Sequence, residues 1–213
     1  TCLTCHVNGG RGVVPDSGTG TLPHGIVLLS VPGGDGRPLP DPVYGEQLQS
    51  RGIGLADRFR SSSEPASGPD ALVAEASIRV TWKSSTFTYP DGESAELRRP
   101  RLTLQDLGYG PMHAEVMTSL RNAPPLHGTG LLSLVDPADV ASRADPGDRD
   151  GDGISGRVNH VLDPETGEWR PGRFGLKADR VSLREQVGAA LHQDLGLTSP
   201  VFPDAPCSPA QTG

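Results

Sequence analysis

Two of the chain's three cysteines stand in Cys2-Leu3-Thr4-Cys5-His6, and no other stretch constrains the fold as much. Cysteines at i and i+3 lie about one helical turn apart on one face. C-x-x-C-H is the attachment signature of c-type haem: two thiols add across the porphyrin vinyl groups and the adjacent histidine coordinates iron. Cys2 and Cys5 are therefore candidate thioether anchors and His6 the candidate iron ligand. A thioredoxin-like pair would have a strand before it and a helix after it, but Val7-Asn8-Gly9-Gly10-Arg11-Gly12 follows here. Structural zinc needs four ligands, and no second Cys/His pair at ligand spacing occurs. Covalent haem attachment takes place outside the cytoplasm, so the motif implies an exported chain, periplasmic in a bacterium. Cys207 is left over, which suggests a partner outside these residues or a buried free thiol.

A fold around a large apolar group also suits the composition. Aromatic residues make up 4% of the chain, while 28 glycines and 21 prolines favour long loops between short elements. The net charge of −7 comes with no basic stripe along the sequence, which argues against nucleic acid as a partner. No apolar run approaches the roughly 18 residues of a membrane span. The first residue is Thr, so a processed or truncated piece is expected.

Local patterns sketch the elements. Residues 8–24 read as loop, and "GIVLLSVPGG" (25–34) as a short buried strand ended by Pro32 and Gly33. Turn signals dominate 35–70. "SIRVTWKSSTFTY" (77–89) alternates and is β-branched. "PDG" (90–92) turns the chain and "SAELRRPRLTL" (94–104) returns, giving a hairpin. Asp136 caps a short helix with Pro137 at N1. In 182–196, Ser182 and Glu185 form a capping box, Gly196 ends the helix, and Leu183, Val187, Ala190, Leu191 and Leu195 line one face.

Further residues carry chemistry. "DPGDRDGDGISG" places Asp148, Asp150 and Asp152 at alternate positions before Gly153, as in the first half of an EF-hand loop. Asn159 stands where that loop has its bidentate Glu, so the alternatives are a calcium site or a solvated Asp/Gly turn. Arg98, Arg99 and Arg101 are either partners for haem propionates or charges on an exposed strand. A sixth iron ligand would come from His24, His113, His127, His160, His192, Met112 or Met117, with "PMHAEVM" the densest group, or the position stays open.

Several stretches together, "CLTCHVNGGRG", "DPVYGEQLQ", "DGESAELRRPRL", "LGYGPMH", "APPLHGTGLLSLV", "DRDGDGISGRVN", "GRFGLKADRVSLREQ" and "DLGLTSPVFPD", make the chain resemble the di-haem oxidoreductases, relatives of the bacterial di-haem cytochrome c peroxidases. The resemblance implies a mainly α, loop-rich cytochrome c-like haem domain with a β-hairpin insertion at about 77–104. Residues 1–213 would be one such domain, truncated at both ends, with a second haem domain beyond 213. "RNAPPL" is similar to an Arg-Asn-x-Pro segment of the peroxidases, which brings Arg121 to the haem. "RVSLREQVGAALHQDLG" is similar to their Ser-Leu-x-x-Gln helix, which puts Gln186 and Asp194 on the distal side, with Asp194 where a glutamate is usual. A carboxylate there would move a proton between the two oxygens of a peroxide.

The function this implies is the first half of a peroxidase-like di-haem oxidoreductase. Its electrons would come through a second haem domain or an electron-donor cytochrome and pass to peroxide or another small oxidant. An electron-carrier cytochrome without substrate chemistry is the first alternative, and a calcium-stabilised, haem-free extracellular module the second.

Overall fold

The computed structural model describes residues 2–13, 18–20, 22, 24–34, 36–49 and 74–211. Of the turn-rich stretch expected over 35–70, residues 35 and 50–70 lie outside them. The chain divides into two compact units, Thr1–Pro125 with Cys207–Gly213, and Leu126–Pro206.

In the first unit, the strand expected at "GIVLLSVPGG" forms as the second element, after β1 (Gly18–Gly20). In β2 (Gly25–Pro32), Val27, Leu29 and Val31 are buried and alternate with more exposed neighbours, as strand pleating requires. β3 (Pro38–Leu39) and β4 (Gln47–Leu48) pair with β2 over two positions each. β5 (Ser77–Thr88) and β6 (Ser94–Gln105) form the expected hairpin, in register from Ser77↔Gln105 to Thr88↔Ser94. Gly92, with φ 91°, supplies the left-handed residue of its turn. β1 extends this sheet along β5, so part of the supposed loop 8–24 is strand. β7 (Met117–Asn122) pairs with β2 from Gly25↔Asn122 to Ser30↔Met117. Val27 and Leu28 pair with both β4 and β7, which must flank β2 on opposite edges. Ile78 and Val80, from the base of the hairpin, join Leu22, Val27, Leu29, Tyr44, Leu48 and Ala76 in the core.

A buried carboxylate organises the segments beside that core. Asp41 is 1% exposed. Its Oδ1 accepts from the backbone N–H groups of Val43 and Tyr44, and its Oδ2 from that of His113. Tyr44 Oη donates to the Gly110 carbonyl and accepts from Tyr109 N–H, tying "DPVYG" to "GYGPMH".

The second unit holds α1 (Thr129–Leu134), α2 (Pro137–Ala141), the two-stranded β8 (His160–Leu162) and β9 (Trp169–Pro171), and α3 (Leu183–Leu195). Asp136 caps α2 by accepting from Ala138 N–H. Ser182 Oγ accepts from Glu185 N–H at the start of α3, and Gly196 ends it at φ 65°. The reciprocal bond of the capping box is displaced by one residue: Glu185 accepts from Val181 N–H.

Two expectations fail. The chain is not a mainly α cytochrome c-like domain: among the described residues strands make up 30% and helix 18%, with three α-helices. The hairpin is thus not an insertion into a helical fold but part of a mostly β structure. Glycine and proline truncate the helical segments, and β-branched alternation fills the strands. The buried face of α3 also differs from the apolar one. It consists of Glu185, Gly188 and Ala189, while Val187 and Leu195 are exposed. A Cβ on Gly188 would sit 3.2 Å from the Phe202 ring, so a small residue there lets the ring approach the helix. Glu185 is drawn inward by Val181 N–H and by Arg180, 3.9 Å away.

The C-terminal segment is strapped to the first unit. Ser208 Oγ donates to the Val43 carbonyl and Gln211 Nε2 to Glu75 Oε1. Glu75 Oε2 also accepts from Gln49 N–H. Burial pushes the Glu75 carboxyl above its ordinary value, against the opposing pull of Gln49 and Gln211. The folded state then binds the proton more tightly than the unfolded one. Its contribution to stability is complete below the unfolded value and is lost as pH rises through the folded value. Melting temperature measured from pH 4 to pH 8 should show a decline on this account that is smaller in Glu75→Gln.

Candidate functional site

The Cys-x-x-Cys-His segment folds as a single turn. Cys2–Thr4 is 3-10 helix, and the N–H groups of Cys5 and His6 both donate to the Cys2 carbonyl, at 3.3 and 2.9 Å. Asn8 (φ 53°) and Gly9 (φ 71°) then reverse the chain. Neither cysteine is in a disulfide, both belong to one turn, and the histidine follows directly.

The decisive contact comes from far along the chain. His6 Nδ1 lies 2.6 Å from the Pro124 carbonyl. A carbonyl only accepts, so Nδ1 carries the proton and the lone pair of the neutral ring sits on Nε2. Fixing one ring nitrogen in this way sets the orientation of a metal-binding imidazole and makes the other nitrogen a better ligand.

Pro124 is held in place by an extension of the β2–β7 ladder. Ala123 N–H donates to the His24 carbonyl, and Gly12 N–H donates to the Ala123 carbonyl at 2.9 Å. Val13 N–H donates to His24 Nδ1, and Asn122 Nδ2 to the Gly12 carbonyl. Residues 2–13 are thereby stitched to 121–124. A Cβ on Gly12 would lie 2.7 Å from His24 Cβ and 2.9 Å from the His24 carbonyl oxygen, so only glycine fits. Next to this seam, the Nε of Arg121 is buried without a hydrogen-bond partner.

The other candidates are distributed as follows. Strand alternation sends Arg98 and Arg99 to opposite faces of the hairpin, with Arg98 stacked on Trp82 at 4.5 Å, so the two do not converge on one group. Gln186 and Asp194 are eight residues apart on α3, about 12 Å along its axis, and the helix does not bring them together. His24 and His113 use Nδ1 to accept backbone N–H groups, and His192 bonds the Asp204 carbonyl while stacking on Phe202. Met112 packs against the core of the first unit. Cys207 is exposed.

Oxygen atoms of Asp148, Asp150 and Asp152 lie within 4.8 Å of one another. Ca²⁺–oxygen distances of about 2.3–2.6 Å let one ion span that separation. One oxygen of each also accepts a backbone N–H, from Gly153, Asp152 and Ile154 respectively. Asn159 is turned elsewhere, its Nδ2 donating to the carbonyls of Lys177 and Ala178.

Pro124 and Gly12 are the site residues that sequence patterns missed, and His24, a candidate sixth ligand in the sequence, serves the seam instead by accepting from Val13 and Ala123. The only signal near them was the "RNAPPL" likeness, which pointed to Arg121 and not to the carbonyl three residues later.

A sequence-family model described as "Di-haem oxidoreductase, putative peroxidase" matches residues 34–212. The matched span begins after the Cys2–His6 pentapeptide. No curated protein matches the chain, and no solved structure does.

The seam around Gly12 can be tested directly. Gly12→Ala should cost about 1–3 kcal/mol through overpacking, lowering the melting temperature by several degrees and speeding amide exchange at Ala123. Gly34→Ala, at a position with nothing within 4 Å of its Cβ, should change neither and serves as the control.

Proposed function

The chain belongs to the di-haem oxidoreductases, and from that premise we propose that it carries a covalent c-type haem on Cys2 and Cys5, with His6 Nε2 as the proximal ligand. The observation that carries this reading is the bond from His6 Nδ1 to the Pro124 carbonyl, which leaves Nε2 as the ring atom able to bind iron. The residues nearby suit the group. The thiols come from one turn, and the buried, unpaired Nε of Arg121 lacks an acceptor of the kind a propionate would supply.

Bound haem supplies one-electron chemistry at iron. The chain's own part is to anchor the group through two thioethers, hold the imidazole at a set angle, and keep 2–13 in register with 121–124. Peroxide reduction consumes two electrons and two protons and yields two waters, so the haem must be fed by an electron-donor cytochrome or a second haem domain. Gln186 and Asp194 occupy different turns of α3, so at most one of them meets a given small oxidant. Covalent attachment makes this an exported protein, periplasmic in a bacterium.

The test is expression in a cell able to attach haem, followed by a pyridine haemochrome spectrum. A c-type spectrum is expected for the wild type and loss of covalent haem for Cys2→Ser/Cys5→Ser, while His6→Ala should keep the attachment but change the spin state. Normal yield and folding of the double cysteine variant, with no haem in the wild type, would sink the proposal. Carbon monoxide binding by the reduced form separates an open-site enzyme from a carrier with two strong ligands.

We also propose that Asp148, Asp150 and Asp152 bind Ca²⁺, supported by the convergence of their carboxylates. Chelator should lower the melting temperature of the wild type by several degrees and leave Asp150→Asn/Asp152→Asn unchanged. Equal melting curves with and without chelator would make this loop a plain turn.

A further inference from the structure

The β5–β6 hairpin assembles a cationic face that the linear sequence conceals. On the surface turned away from Ile78, Val80 and Trp82, the cross-strand pairs are Arg79↔Thr103, Thr81↔Arg101, Lys83↔Arg99, Ser85↔Leu97 and Phe87↔Ala95. Arg79, Lys83, Arg99 and Arg101 are all exposed. No acidic residue stands on this side of either strand, in a chain whose net charge is −7. Among the described residues, none of the ion pairs includes any of these four cations. Lys83 and Arg99 are directly opposite each other, a like-charge arrangement that destabilises an isolated sheet. Next to the cations, Leu97 and Phe87 are 50% and 47% exposed.

We infer that this face is the docking surface for an acidic protein redox partner, an inference that rests on the redox reading above. An anionic surface relieves the Lys83–Arg99 repulsion, and the Leu97–Phe87 spot supplies the apolar contact that protein interfaces combine with a charged rim. The dimensions exclude a single small anion. Arg79 to Lys83 spans about 13 Å along the strand, on an exposed pleated face. Anionic lipid fits less well because Asp91 and Glu93 stand in the turn of the hairpin, beyond the Phe87 side chain that would enter a bilayer.

The test compares the haem-loaded full chain with Arg79→Glu/Lys83→Glu and the milder Arg79→Gln/Lys83→Gln; neither residue belongs to the haem or calcium sites. The probe is an acidic flavodoxin, labelled for anisotropy and also used in its reduced form in stopped flow. At low salt, charge reversal should weaken binding and slow reduction at least tenfold, and the glutamine variant should fall between. The difference should vanish in about 0.5 M salt. Reduction by a neutral hydroquinone should be the same in all three proteins, and the melting temperature should not fall in either variant, since each removes the Lys83–Arg99 repulsion. Charge-sensitive flavodoxin binding without electron transfer supports the docking face and counts against the haem assignment alone. Flavodoxin binding that ignores charge reversal overturns the inference. So does wild-type binding to phosphatidylglycerol vesicles that is tighter than to flavodoxin and lost in the variant, or a dimer by light scattering that the variant abolishes.

Discussion

The pairing of β2 with β7 is the constraint on which the candidate haem site depends. β2 is fixed by the burial of Val27, Leu29 and Val31, and β7 runs beside it to Gly25↔Asn122. Past that point the ladder continues as irregular backbone bonds from His24 to Ala123 and from Ala123 to Gly12, ending at the Pro124 carbonyl that receives His6. A slip of one residue along β2 would turn buried side chains outward and move Pro124 by about 3.4 Å, more than a hydrogen bond tolerates. The imidazole's orientation is thus set by hydrophobic burial in a strand it does not touch.

A second constraint works in parallel. The Asp41 carboxylate satisfies three backbone N–H groups, and Tyr44 Oη bridges Tyr109 and Gly110. Bonds to a buried carboxylate are stronger than those between neutral groups, and removing the acceptor leaves each donor unsatisfied at about 1–3 kcal/mol. Two motifs that the sequence presents 60-odd residues apart, "DPVYG" and "GYGPMH", are therefore one structural node. Their resemblance to family stretches reflects this scaffold, since the Asp41 and Tyr44 side chains spend their hydrogen bonds on backbone.

What the sequence made legible follows the range of the interactions. The hairpin, the β2 strand and the caps of α2 and α3 depend on neighbours a few residues away, and each formed where alternation or capping chemistry placed it. The Pro124 carbonyl and the Gly12 seam are non-local, and a backbone acceptor leaves no side-chain signature. The buried face of α3 was misread because Phe202 packs onto Gly188, a position that contributes nothing to an apolar count. The mainly α expectation came from resemblance, while the residue patterns themselves had indicated only two helices. Arg98 and Arg99 looked like one basic site in the sequence, and strand alternation splits them.

The second unit shows how a chain with so few aromatics keeps its shape. Phe174 and Ala189 are its only buried apolar residues among those described, too little area to hold five elements by the hydrophobic effect alone. Polar struts take over. Arg173 Nη1 donates to the carbonyls of Leu132 and Val135 at the end of α1, where a cation also meets the negative end of the helix dipole. The Glu165 backbone N–H holds the Asp163 carboxyl below its usual range, with Arg170 paired to it 3.0 Å away. Glu185 joins the start of α3 to Val181 and Arg180. Directional bonds of this kind fix geometry while burying little, so α1 can leave Leu131 and Leu134 in solvent at 73% and 80% exposure without losing its place. Order in this unit comes from hydrogen-bond direction, whereas in the first it comes from a packed sheet, and the imidazole that would hold iron is built on the sheet.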